Sequence, residues 1–189
     1  MAKLYYRYGT MNSGKSIDIL KIANNYEEQG KKVLIFTSAI DDRHGVGKIT
    51  SRVGIQRDAL LLDETVYDKV LAEKPDCVVI DEGQFASSEI IDQLAAIVDE
   101  QDIPVIVYGL MTDFQGDMFE GSKRLLELAD RIEEIKTICW YCKSKARFNT
   151  RFKDGKAVFT GEQIEIGGND KYLPLCRKCY MREKLASQA

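Results

Sequence analysis

The stretch Leu4-Tyr5-Tyr6-Arg7-Tyr8-Gly9-Thr10-Met11-Asn12-Ser13-Gly14-Lys15-Ser16 decides the fold. Its first five residues suit a short buried strand, and the eight that follow match G-x-x-x-x-G-K-[ST] in full. Beyond it, Ile17, Leu20, Ala23 and Tyr26 recur at helical spacing, and Gly30 follows as a helix stop. A strand, a glycine-rich turn and a helix, in that order, aim successive backbone N–H groups and a helix N-terminus at one point. That point suits a phosphate. Lys15 is placed to reach β- and γ-phosphates, and the Ser16 hydroxyl to ligate a bridging Mg²⁺. A plain glycine-rich turn with an exposed lysine would explain neither the completeness of the motif nor its position.

Working outward, the first two-thirds of the chain alternate short apolar runs with amphipathic segments, which predicts an α/β fold with a mainly parallel sheet flanked by helices. Strands are expected at Leu4–Tyr8, Val33–Thr37, Cys77–Ile80, residues 104–108 and residues 132–138. Helices are expected over residues 88–100, with Ile91, Leu94, Ile97 and Val98 on one face, and over residues 122–129. Residues 38–54 carry Arg43, His44, Lys48 and Arg52 among three glycines without sustained periodicity, and read as a mobile or hairpin-forming loop.

The run Val78-Val79-Ile80 ends in Asp81 and Glu82, at the sheet edge where α/β folds place their ligands. Asp81 fits the role of holding the Mg²⁺ shell. Glu82 is then left to accept a proton from whatever attacks the γ-phosphate. The blander reading makes Asp81 a cap for the next turn and Glu82 a solvated carboxylate. Because an Asp-Glu pair also serves ATPases whose glutamate activates water, the chemistry alone leaves kinase and ATPase both open.

Lys and Arg total 27 against 30 Asp and Glu, a net charge of −3 that gives no overall attraction for a polyanion. A nucleic-acid partner is therefore not expected. At 44% hydrophobic and 30% charged residues, the 189-residue chain has the composition of a globular protein. With no apolar leader at its start and no run near the ~20 residues of a membrane span, the expected location is the cytoplasm, away from membranes.

Four of the five cysteines form two C-x-x-C pairs, Cys139/Cys142 and Cys176/Cys179, with 33 residues between them. Two such pairs in a reducing compartment point to a tetrahedral structural Zn²⁺, with no position open for a substrate. A redox dithiol or four unrelated thiols would leave the double pairing unexplained. Cys77, inside an apolar run, reads as core packing. The change of character near residue 138 divides the chain into 1–138 and 139–189. Between the pairs, Gly167-Gly168-Asn169-Asp170-Lys171-Tyr172 offers open backbone and one aromatic ring, fit either for clamping a planar ligand or for simply joining the two knuckles.

Taken together, residues 9–16, Asp81-Glu82-Gly83-Gln84-Phe85, Tyr108-Gly109-Leu110-Met111-Thr112-Asp113-Phe114 and residues 167–180 resemble the zinc-containing, type II thymidine kinase family over nearly the whole chain. The resemblance implies a RecA-like P-loop domain at 1–138 and a zinc-ribbon-like domain with a lasso loop at 139–189. It implies transfer of the γ-phosphate of ATP to the 5′-hydroxyl of thymidine or deoxyuridine, with Glu82 as proton acceptor. In that likeness Gly9, Thr10, Met11, Asn12, Ser13, Gly14, Lys15 and Ser16 hold ATP, with Asp81 and Gln84 on the nucleotide side and Asp41 and Arg43 near the phosphate donor. Met11, Phe114 and Phe119 match the apolar base pocket, although spacing alone suits a core role equally well. Gly167, Gly168 and Tyr172 match the lasso, anchored by the zinc. A homotetramer and inhibition by thymidine triphosphate are also implied. Met111 stands where the family most often has arginine, and no polar contact is assigned to it.

Overall fold

The computed structural model describes residues 1–40, 47–51, 54–164 and 171–189. Its larger sheet has six strands in the order β5-β2-β6-β7-β1-β8. These are β1 (Leu4–Tyr8), β2 (Val33–Thr37), β5 (Leu60–Leu61), β6 (Cys77–Ile80), β7 (Val105–Gly109) and β8 (Arg131–Glu134), and every pairing among them is parallel. Parallel strands covered on both faces read as continuous apolar runs, which is why β6 buries all four of its residues.

Alternate residues of that run serve opposite faces of the sheet. Val78 and Ile80 join Leu4, Tyr6 and Phe36 under the helices α2 (Val66–Glu73), α3 (Ser88–Gln101) and α4 (Glu120–Leu128). Cys77 and Val79 join Ile35, Ile106 and Tyr108 under α1 (Lys15–Glu28) and the short β3 (Lys48–Thr50). Cys77 is thus plain core, its thiol pushed up to about 11 by burial.

Sequence periodicity placed α1 correctly but turned it slightly wrong. Ile19 and Ala23 face the sheet, whereas Ile17 is 47% exposed. Of the predicted stripe, Ala23 is buried and Tyr26 packs against the same cluster, while Ile17 lies off the buried face in the helix's first turn. Gly30 does end the helix: at φ 73° its N–H reaches Glu27 O and the next N–H reaches Tyr26 O. Residues 136–138 do not continue β8. Beyond Ile135, whose N–H still bonds Tyr8 O, the chain leaves the sheet, and Thr137 and Ile138 pair instead with Ala146 and Lys145. Within the stretch read as a loop, Lys48–Thr50 forms a hairpin with β4 (Gln56–Asp58).

The C-terminal part is a separate antiparallel sheet in the order β10-β9-β11, formed by β9 (Phe148–Lys153), β10 (Lys156–Val158) and β11 (Lys171–Leu175) and backed by α5 (Arg177–Ala186). Its small core gathers Cys139, Leu175, Cys176, Cys179 and Tyr180, with Tyr180 stacked on Phe148 at 4.4 Å. No described helix is long and apolar enough to cross a membrane.

Candidate active site and metal centre

The C-terminal ends of β1, β2, β6 and β7 share one edge of the sheet, and a cavity of about 290 Å³ opens there. Its wall includes residues 11–16, Thr37, Asp81, Glu82 and Leu110, with the hairpin residues Lys48, Ile49 and Thr50 closing one side. The phosphate loop and the two carboxylates, 65 or more residues apart in sequence, therefore face a common space.

Local backbone geometry explains the loop's composition. Gly14 adopts φ 91°, a left-handed conformation that is costly for any residue with a Cβ. A methyl on Gly9 would lie 2.4 Å from Ser13 Oγ and 2.8 Å from Ile135 O. Lys15 is buried, with its Nζ 2.9 Å from Thr10 O and 3.3 Å from Gly9 O. The ammonium thus sits across the mouth of its own loop, where phosphate oxygens would compete for it.

The first turn of α1 is anchored from beneath. Tyr108 Oη donates to Asp18 at 2.6 Å, Arg7 pairs with the same carboxylate at 3.1 Å, and Lys21 adds a third contact at 2.7 Å. Partial burial opposes the Asp18 charge, but the hydrogen bonds from Lys21 and Tyr108 outweigh it and hold the carboxyl below its usual range. A second anchor crosses from the other sheet, where Asn149 Oδ1 of β9 accepts the Met11 N–H at 2.8 Å.

Asp81 is buried at the tip of β6, its N–H bonded to Phe36 O. Glu82 follows in a left-handed conformation, φ 55° and ψ 39°, which costs a non-glycine residue about 1–2 kcal/mol. Strain of that kind persists only where the surroundings over-determine it. Here the Glu82 N–H bonds Asp81 Oδ1 at 2.9 Å, and the carboxylate accepts from the Gln84 amide. Gln84 itself is buried, its other end accepting the Leu110 N–H.

Phe114 and Phe119 are both buried, flanking a tight turn in which Asp113 Oδ1 accepts the N–H groups of Gln115 and Asp117. Phe119 packs edge-on against Phe85 at 5.7 Å. Arg151 lies over the Phe114 ring at 5.3 Å, and it is two residues from Asn149 in β9, hence on the same strand face. That face connects Met11 with Phe114. Tyr172, half-buried on β11, is the register partner of Arg151. Met111 lies against Arg147, whose guanidinium is 3.2 Å from the methionine sulfur. Asp41, Arg43, Gly167 and Gly168 lie outside the described residues.

The four paired cysteines converge, with every sulfur within 4.8 Å of the others. Cys142 and Cys176 are 3.7 Å apart, and Cys142 and Cys179 are 3.9 Å apart. Tetrahedral Zn–S bonds of about 2.3 Å put sulfurs about 3.8 Å from one another, so the donor set fits zinc in kind and spacing. Hydrogen bonds from Ser144 pull the Cys142 thiol down to about 6, while burial pushes Cys179 up to about 12. Four thiolates this close repel one another, and a divalent cation is what allows all of them to ionise together.

A profile described as thymidine kinase matches residues 2–180. The chain belongs to the thymidine kinase family. It is 55% identical to the thymidine kinase of Lactococcus lactis subsp. lactis (strain IL1403) over 98% of this chain and 100% of that one. It is 56% identical to the thymidine kinase of Streptococcus gordonii (strain Challis) over 96% of this chain and 97% of the relative. The thymidine kinase of Listeria monocytogenes serotype 4b (strain F2365) is 57% identical, over 95% of this chain and 97% of its own.

Sequence reasoning missed the contributions of Asn149, Thr37 and Arg151. Thr37 was recoverable, since the end of a strand beside the carboxylate strand must border the same edge. Asn149 and Arg151 gave no such signal, because they reach the loop and Phe114 from a different sheet.

Proposed function

We propose that this protein is an ATP-dependent thymidine kinase of pyrimidine deoxynucleotide salvage, also accepting deoxyuridine. The observation that carries the reading is that residues 11–16 of the phosphate loop and the Asp81–Glu82 tip of β6 line one and the same cavity. Gly9, Thr10, Met11, Asn12, Ser13, Gly14, Lys15 and Ser16 hold the triphosphate, with Gln84 bordering the nucleotide side and Asp41 and Arg43 near the donor. Ser16 and Asp81 would hold a Mg²⁺ that offsets phosphate charge. The 5′-oxygen of thymidine forms a bond to the γ-phosphorus, the bond to the ADP oxygen breaks, and the hydroxyl proton passes to Glu82.

Met11, Phe114 and Phe119 supply an apolar pocket for the base, and Gly167, Gly168 and Tyr172 close over it. Cys139, Cys142, Cys176 and Cys179 hold the Zn²⁺ that fixes this flap at both ends, in a zinc-binding domain at 139–189 beside an ATP-binding domain at 1–138. The protein works in the cytoplasm as a homotetramer, with thymidine triphosphate as feedback ligand. Similarity to relatives named thymidine kinase over almost their whole length supports the substrate assignment.

Phosphate transfer from labelled ATP, screened across the common nucleosides, tests the reading. Thymidine and deoxyuridine should be phosphorylated, and Glu82→Gln should lower turnover by roughly 10²–10⁴-fold while ATP still binds. ATP hydrolysis stimulated by nucleic acid, without nucleoside phosphorylation, would instead identify an ATPase.

A further inference from the structure

Gln84 is 2% exposed, and both ends of its amide are taken up within the protein. Its Oε1 accepts the Leu110 N–H at 3.1 Å, and its Nε2 donates to Glu82 Oε2. The side chain therefore bridges the end of β7 and the carboxylate that follows β6.

Three glycines make this bridge possible. A methyl on Gly109 would lie 2.6 Å from Gln84 Oε1. One on Gly83 would lie 2.3 Å from Val107 Cγ1, and one on Gly121 would lie 2.5 Å from Gly83 O. The strand end, the turn Gly83–Phe85 and the start of α4 thus approach more closely than side chains permit. The buried amide fills the space between them. An ATP-contacting role alone gives no reason for an amide held at both ends in such a chamber, next to a glutamate kept in left-handed backbone geometry.

We infer that Gln84 is a positioning residue for phosphoryl transfer: it holds the Glu82 carboxylate through Oε2, leaving Oε1 to take the proton of the attacking hydroxyl. The inference rests on Glu82 being the proton acceptor. A carboxylate free to rotate would meet the hydroxyl in the right geometry only part of the time, and misplacement by about an ångström is enough to cost about 100-fold in rate.

The test is a double-mutant cycle on the full-length protein, with kcat and the KM values for ATP and thymidine measured separately. Gln84→Met keeps the length of the side chain and removes the amide. It should lower kcat about 10- to 100-fold and leave the thymidine KM within about twofold, with the ATP KM rising by a smaller factor than kcat falls. In the Glu82→Gln background, the same change should cause no further loss, because the group it positions is already gone. Gln84→Leu, close to glutamine in volume and likewise without an amide, should reproduce the result if the methionine variant fails to fold. An inactive Glu82→Gln beside Gln84 variants with wild-type kcat would overturn the inference. So would an equal loss in both backgrounds, or a rise in ATP KM at constant kcat. A Glu82→Gln variant with full turnover would instead remove the proton-acceptor reading itself.

Discussion

Asn149→Ala isolates the contact by which the second sheet holds the phosphate loop. The substitution deletes the acceptor 2.8 Å from the Met11 N–H. In this part-buried setting, losing the bond and leaving the donor poorly satisfied costs about 1–2 kcal/mol. If the tether orders the loop before ATP arrives, that cost moves into binding, and at about 1.4 kcal/mol per tenfold the KM for ATP should rise about 5- to 30-fold. If it is felt by the whole fold instead, the melting temperature should drop by about 2–8 °C. Steady-state kinetics with ATP varied at saturating thymidine, run beside thermal melts, separates the two. Asn149→Asp keeps the acceptor but sets a carboxylate near the triphosphate, so its defect should shrink as salt is raised. An Asn149→Ala protein with ATP KM and melting temperature both unchanged would show that the contact does not order the loop.

Two further outcomes follow from the cysteines. Cys176→Ser, or exhaustive chelation, should release about one zinc per chain and loosen β9 to β11 before the larger sheet, which metal analysis with hydrogen exchange would resolve. Burial raises the Cys77 thiol from 9.0 to about 11, so between those values the unfolded chain has lost a proton that the folded one keeps. Stability from this group is intact below pH 9 and is lost as pH rises toward 11, by about 2–3 kcal/mol at most. Urea melts of wild type and Cys77→Ala should therefore converge over that range, and parallel curves would count against the assignment.

Much of the larger sheet was legible because its strands are short apolar runs and its phosphate loop is a motif with its own geometry. The limits of β1, β2 and β6 follow directly from sequence. The helix α2 escaped notice: eight residues with Val66 and Val70 as its buried positions give too little periodicity to stand out. The two-residue strand β5 is below any pattern. At the site, Lys15, Asp81 and Glu82 could be found because each ends or begins a regular element. The Gln84 bridge could not, since its cause is the close approach of three segments distant in sequence. The cysteine cluster was legible from spacing alone, as two C-x-x-C pairs form a donor set suited to one shared ion.

The placement of β7 between β1 and β6 turns the sheet into a ruler. Neighbouring strands are about 4.8 Å apart, so the loop after β1 and the acids after β6 are offset by about 10 Å, whatever the side chains do. Changes to the rim can reshape what enters, but the span between the phosphate loop and the Asp81–Glu82 carboxylates is set by backbone hydrogen bonding. Selectivity can therefore drift through the residues of the cavity wall without resetting that spacing.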